Sequence, residues 1–242
     1  DIARNVLPHV ENIHSVVKGI SNLSNEKTKI LIEFHYSKKI IDELQYDSIY
    51  HEHVFYFTIQ TLSNIFKIYN LIPFDIFQSP ISGGSLVLCL SKQKKRKSAK
   101  LIKFQKFENE KKINTVNTWR KFGKLSHKHS GNFLKLISNF NHIKIVGFGA
   151  SARSSTFLNF CNLNHLTIDK ILDNNLLKHN KFTAGTNIEI INPKKFNFKK
   201  HQIYLFIILA WNFKDEIVKY LRNFKLKGYI LSPFPKIKRI KL

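Results

Sequence analysis

What most constrains this chain is a pattern that occurs twice: short apolar runs alternating with segments of helical spacing, on either side of a charged stretch. In the first block, Lys29–Phe34 is an apolar run ended by polar residues, which predicts a buried strand. Apolar side chains recur at Ile13, Val16, Val17 and Ile20, and again at Ile59, Leu62, Ile65, Phe66 and Tyr69. These spacings predict helices over Asn12–Leu23 and Phe57–Tyr69, and a further helix is expected over Tyr36–Leu44. Asp1-Ile2-Ala3 reads as the tail of a buried strand. Leu71–Gln78 and Gly84–Leu90 read as an antiparallel pair joined by the turn-rich 79–83. Together they describe the second half of an open α/β sheet.

Ser91–Lys100 has no long apolar side chain and reads as a surface loop or linker. Leu101–Phe140 is helical in pattern, with breaks expected near Gly123 and Gly131. The pattern then resumes, with Lys144-Ile145-Val146 leading into Gly147-Phe148-Gly149-Ala150 and a helix through Phe157, Leu158 and Phe160. Strands are expected at Thr167–Leu172, Ile203–Leu209 and finally Gly228–Leu231, with a helix over Asn212–Leu226. This second block predicts a Rossmann-like unit. The expected domains are therefore 1–92, a helical connection over 93–140, and 141–242.

Composition narrows the function classes. The chain has 242 residues, 43% of them hydrophobic, enough for a packed core. No apolar run reaches the roughly 18 residues of a spanning helix, so no membrane partner is expected. Cys89 and Cys161 form no CxxC pair, and the N-terminal residues lack a signal-peptide layout, so a cytoplasmic protein is the expectation. There is no Met, which marks the sequence as the later part of a longer protein or gene. The net charge of +24 invites a nucleic-acid reading, but 34 of the 40 basic residues are lysines spread along the chain. A solvated basic surface is the preferred reading over a specific nucleic-acid interface.

Three constellations could carry chemistry. Tyr50-His51-Glu52-His53 precedes an aromatic run, Phe55-Tyr56-Phe57. In an extended segment Tyr50 and Glu52 share one side and the histidines the other. A histidine there can take a proton while Glu or Tyr orients it; the competing readings are a loop with local hydrogen bonds and a His-x-His zinc pair. His127-Lys128-His129 has the same spacing in a Ser/Gly/Lys-rich stretch and reads as a solvated loop. His9, in Val6-Leu7-Pro8-His9-Val10, follows a presumed strand end, where open α/β sheets place ligands. In the second block, Gly147, Gly149, Ser151 and Arg153 form a strand-to-helix turn whose N–H groups suit a phosphate, Arg153 replacing the last glycine of the dinucleotide pattern. Asp173 follows the next strand and can meet a ribose hydroxyl, and Trp211 with Asn212 offers a flat face beside an amide.

These segments resemble the sugar C-methyltransferases in their order. The resemblance is carried by Asn5–Val10, Tyr46–His53, Ser82-Gly83-Gly84-Ser85-Leu86, Gly147–Ala150, Asp173-Asn174-Asn175, Thr183–Thr186 and Leu209–Ile217. It implies a partial class I methyltransferase sheet followed by a second Rossmann-like α/β domain. It further implies S-adenosylmethionine as cofactor and a nucleoside-diphosphate keto-deoxysugar as substrate. His53 is then the base that removes a proton beside the ketone, Tyr50 and Glu52 its neighbours, His9 the additional active-site histidine, and Asn5 a residue on the cofactor side. The second-domain residues named above become substrate-binding. The family's cysteine-rich zinc domain and acidic-Gly-x-Gly cofactor turn have no counterpart in this sequence, so zinc would belong to an N-terminal domain and a separate N-terminal piece is an implied partner. Ser82, Val87 and Phe34-His35 also depart from the family's His, Arg and Val-Pro. Two alternatives remain, a non-catalytic sugar-nucleotide-binding remnant and a basic nucleic-acid-binding protein.

Overall fold

A computed structural model describes residues 1–79, 84–140 and 142–242. It is an α/β structure with two mixed sheets, and the chain divides into two compact units. The first comprises Asp1–Asp42 and His51–Phe122, the second Glu43–Tyr50 and Gly123–Leu242. The short segment 43–50 is thus an excursion from the first unit that packs as part of the second.

The first unit holds a four-stranded sheet in the order β1-β2-β4-β3, from β1 (Ile2–Arg4), β2 (Ile30–His35), β3 (Ile72–Ser79) and β4 (Ser85–Ser91). β1 runs parallel to β2, whereas β4 is antiparallel to both β2 and β3. Leu86, Leu88 and Leu90 alternate along β4 and are buried with Ile30, Ile32 and Phe34 of β2. Each such side chain contributes about 1.5–3 kcal/mol by leaving water. Against them pack α1 (Ile13–Leu23) through Ile13 and Val17, α3 (Ile59–Ile68) through Ile59, Leu62 and Phe66, and α4 (Ala99–Glu110) through Leu101. Between β2 and α3 lies α2 (Ser37–Asp42). Asn12 caps α1, and Thr58 forms a capping box with Thr61 at the start of α3. β1 is an edge strand with Ile2 77% exposed, so the expected buried strand is buried only around Ala3. The expected turn at 79–83 lies, from Pro80 on, outside the described residues.

α5 (Val116–Ser138) runs through both Gly123 and Gly131, where breaks were expected. Ser126, His129, Ser130, Phe133 and Ile137 fall on one buried face at intervals of three and four, and that packing outweighs the roughly 1 kcal/mol cost of each helical glycine. The interruption occurs earlier, between α4 and α5.

In the second unit β5 (Lys144–Phe148), β6 (Lys170–Leu172), β8 (Glu189–Ile191), β9 (Ile203–Ile208) and β10 (Lys227–Ser232) form a parallel core. The short β7 (Lys181–Phe182) and β11 (Lys238–Lys241) close its edges antiparallel, giving the order β11-β10-β9-β5-β6-β8-β7. Tyr204 to Leu209 are all buried, as expected of a central strand covered on both faces. α6 (Ala152–Phe160) connects β5 to β6, and α7 (Lys214–Arg222) connects β9 to β10. The sheet order reverses between β5 and β9, so the loops after those strands flank the position where such sheets place ligands. β11 follows the strand expected to be last, and the helix expected over Asn212–Leu226 is shorter, preceded by a 3-10 turn at Trp211–Phe213.

Candidate active site

At the carboxyl end of β1 the backbone of Asn5 turns into the left-handed region (φ 51°), which asparagine tolerates better than most residues. The turn leads into a 3-10 helix, Leu7–His9, whose Leu7 and Pro8 are buried. Two backbone N–H groups from the run after His51 donate to Pro8 O, Val54 at 2.8 Å and Phe55 at 3.4 Å. His9 Nδ1 lies 3.0 Å from Glu52 O, and its Nε2 lies 3.4 Å from Asn5 Nδ2. A carbonyl only accepts, so Nδ1 carries the hydrogen and Nε2 is the acceptor facing the amide. This locks His9 in one tautomer, with its ring centroid 4.8 Å from that of His53. His53 also meets Tyr56 edge-on at 6.3 Å.

Asn5, His9, His53 and the backbone of Glu52 are therefore brought together within the first unit. The Glu52 side chain is exposed, and its carbonyl makes the recorded contact. Tyr50 is half-buried and belongs to the second unit. Beneath Asn5, buried Glu33 pairs with Arg4 Nε at 2.8 Å and accepts from Ser79 Oγ at 2.7 Å, while its own carbonyl accepts Asn5 N. The sequence reading passed over Glu33; a carboxylate inside the apolar run KILIEF was the available signal.

The second unit uses its candidate residues differently. Arg153 donates to Asp47 through Nε (2.9 Å) and Nη2 (2.8 Å), and Nη2 also reaches Gln45 Oε1 at 3.3 Å. Trp211 Nε1 donates to the same carboxylate at 2.8 Å, with the guanidinium 4.8 Å over its ring. Asp47 is 1% exposed, so this is a buried ion pair holding segment 43–50. Asp173 accepts from Ala150 N at 2.7 Å and Asn175 N at 2.8 Å, with Lys178 Nζ 3.6 Å away. Its carboxylate thus takes an N–H of the very turn expected to hold phosphate. Ser151 and Ser154 cap α6 reciprocally, and Asn212 is exposed. Gly147 packs tightly, since a Cβ there would meet Ile171 Cγ1 at 2.9 Å.

His127-Lys128-His129, expected in a solvated loop, lies within α5. His129 is buried, its Nδ1 3.0 Å from Tyr46 Oη and its Nε2 3.0 Å from Pro233 O. Its pKa is lowered, because burial disfavours the imidazolium. Tyr46 packs among Phe157, Phe160 and Phe234, and burial raises its pKa. Cys161, which accepts from Ser130 Oγ at 3.2 Å, is likewise pushed up by burial.

A cofactor can be tested against these residues. The chain's Gly-x-Gly leaves no room for one: a Cβ on Gly149 would sit 2.3 Å from Ala210 Cβ and 2.8 Å from Ala210 N. In the first unit, Asn5 Oδ1 is buried with no hydrogen-bond partner, an acceptor left for a group at the end of β1. Among the described residues no three His, Cys, Asp or Glu side chains converge as a metal site, and no helix is long and apolar enough to cross a membrane.

Residues 80–235 match the family model of the C-methyltransferase C-terminal domain. The C-methyltransferase NovU of Streptomyces niveus is 25% identical over 237 residues, covering 96% of this chain and 56% of the relative. The chain thus spans about half the length of the curated relative that it matches.

Proposed function

The chain belongs to the C-methyltransferase C-terminal domain family, and from that premise we propose that it takes part in methylating a ring carbon beside the ketone of a nucleoside-diphosphate keto-deoxysugar, with His53 as the base. One observation carries the reading: the His9–His53 pair, with ring centroids 4.8 Å apart at the end of β1. A carbon beside a ketone is a weak acid, so its proton leaves only to a positioned base while charge on the oxygen is stabilised. His53 takes the proton as a neutral imidazole and becomes a cation beside the enolate. His9, held by the Glu52 carbonyl, fixes where that ring sits. Tyr50, next in the same run, is assigned to substrate positioning.

S-adenosylmethionine, when bound, supplies the electrophilic methyl group, and Asn5 is the residue of this chain that fits a role beside it. Arg153, Asp173 and Trp211 already hold internal partners, which supports giving them to the scaffold; Ser151 serves α6 as its cap. Incubation of the chain with a nucleoside-diphosphate 4-keto-6-deoxyhexose in deuterium oxide tests the reading. Deuterium is expected at the carbon beside the ketone, and Asn5→Ala is expected to leave that exchange standing. Binding of the sugar nucleotide with no exchange would instead mark a binding module.

A further inference from the structure

The first unit contains a cavity of about 470 Å³, well away in sequence from the histidine pair and not used by the proposed proton transfer. Its size lies within the range of small-ligand sites, roughly 300–1,000 Å³. Its place in the sheet is fixed by register. His35 at the end of β2 opposes Ser85 at the start of β4, and Ser79 at the end of β3 opposes the same Ser85. β1 is parallel to β2, with Arg4 opposite Glu33, so Asn5 and His9 follow at this same edge of the sheet. The run that carries His53 continues to Phe57, whose carbonyl accepts Ser37 N at 2.9 Å beside the cavity's Tyr36. β1 and β4 are two strands apart, roughly 10 Å at the usual spacing.

The lining has a definite chemistry. Lys38 is paired with Asp42 and lies 5.0 Å over the Phe107 ring, which fixes it within the scaffold. Lys39 is exposed, and its stem lies flat on Gly84: a Cβ there would meet Lys39 Cγ at 2.7 Å and Cε at 2.9 Å. Gly84 also has φ +118°, so glycine both permits the turn and makes room for the lysine stem. The three charged residues of the lining leave one net positive charge. Gln78 adds an exposed amide, and the rings of Tyr36 and Phe104, edge-on at 6.3 Å, give an apolar wall. A cation, an amide and an aromatic wall in one concavity suit a ligand that is anionic at one end and a flat ring at the other.

We propose that this cavity takes the nucleoside-diphosphate arm of the substrate, with Lys39 meeting the phosphates and Gln78 the ring or ribose. The assignment rests on the sugar-nucleotide reading given above. It makes the substrate lie along the sheet edge, its keto-sugar toward His53 and its charged arm toward β4.

The test is calorimetric titration of the 242-residue chain with uridine diphosphate and thymidine diphosphate, and with uridine and inorganic pyrophosphate as separate arms. Loss of a charge-assisted contact is expected to weaken diphosphate binding about tenfold in Lys39→Gln. Lys39→Arg should restore most of it, Gln78→Ala should weaken it a few-fold, and Lys199→Gln in the second unit should leave it unchanged. Lys39→Gln binding as tightly as wild type, with the diphosphates still bound, overturns the cavity assignment and leaves the catalytic reading standing. Pyrophosphate bound as tightly as either nucleoside diphosphate overturns the place given to the nucleoside. Absence of nucleoside-diphosphate binding in the wild-type chain removes the sugar-nucleotide reading itself and the cavity assignment with it.

Discussion

At the end of β1, His9 is exposed and its ring faces that of His53, whereas at the turn after β5 the guanidinium of Arg153 is closed on a carboxylate that is 1% exposed. Both are polar residues just beyond a strand, the position where open α/β sheets hold ligands. In the first unit the local hydrogen bonds fix a tautomer and leave the ring at the surface. In the second they consume the donors: Arg153 and Trp211 go to Asp47, and Ala150 N goes to Asp173. Position in the fold therefore nominates a residue for chemistry, but whether its hydrogen-bonding capacity is already matched decides its role.

The contrast can be broken most directly at His53. His53→Ala is expected to lower deuterium exchange beside the ketone by about 10²–10⁴-fold while leaving the thermal midpoint near that of wild type. Arg153→Ala should do the reverse. It strands a buried carboxylate and is expected to destabilise the second unit by about 3–5 kcal/mol in denaturant unfolding, with Arg153→Lys recovering part of the loss. A cost below about 1 kcal/mol would mean that the pair does not hold segment 43–50.

Glycines sharpen the same comparison at smaller scale. Gly149→Ala forces a Cβ against Ala210 at φ +96°, with an expected cost of about 1–3 kcal/mol. Gly123→Ala and Gly131→Ala meet open space inside α5 and should each stabilise by about 0.5–1 kcal/mol. Thermal unfolding of the three variants measures both signs.

The smallest expected effect is in pH dependence, where the units should differ in sign. Burial lowers the pKa of His129 in the second unit, so its contribution is full above the ordinary value of 6.5 and is lost as pH falls through the lowered pKa. Burial raises the pKa of Glu108 in the first unit, although its carboxylate accepts from Ile59 N and Gln60 N at the start of α3. Its contribution is full below the ordinary 4.5 and is lost as pH rises through the raised pKa. Amide hydrogen exchange followed in each unit across this range should show protection of α5 falling toward acid and protection of α3 falling away from it.

Legibility in the sequence followed the same division. β2, β4, β5 and β9 were readable because burial on both faces produces continuous or alternating apolar runs. β7 is two exposed residues and β11 is Lys-Arg-Ile-Lys, so neither carries a hydrophobic signal, and both exist as edge pairings of a sheet built elsewhere. α5 was misread at its glycines because a buried face of widely spaced Ser, His and Phe is weaker in sequence than it is in packing. His9 and His53 could be nominated from residue type and strand position alone. The pairing of Asp47 with Arg153 and Trp211 could not, because the partners are 106 and 164 residues apart and nothing local marks Asp47 as buried.

The central claim is that proton removal belongs to the imidazole of the first unit and not to the polar residues of the second. Its most direct test is the rate of deuterium incorporation beside the ketone, measured in parallel for His53→Ala and Trp211→Phe, the latter removing only the N–H that reaches Asp47. The account predicts exchange abolished in the first and retained in the second. Exchange that persists in His53→Ala, or that vanishes in a folded Trp211→Phe protein, would contradict it.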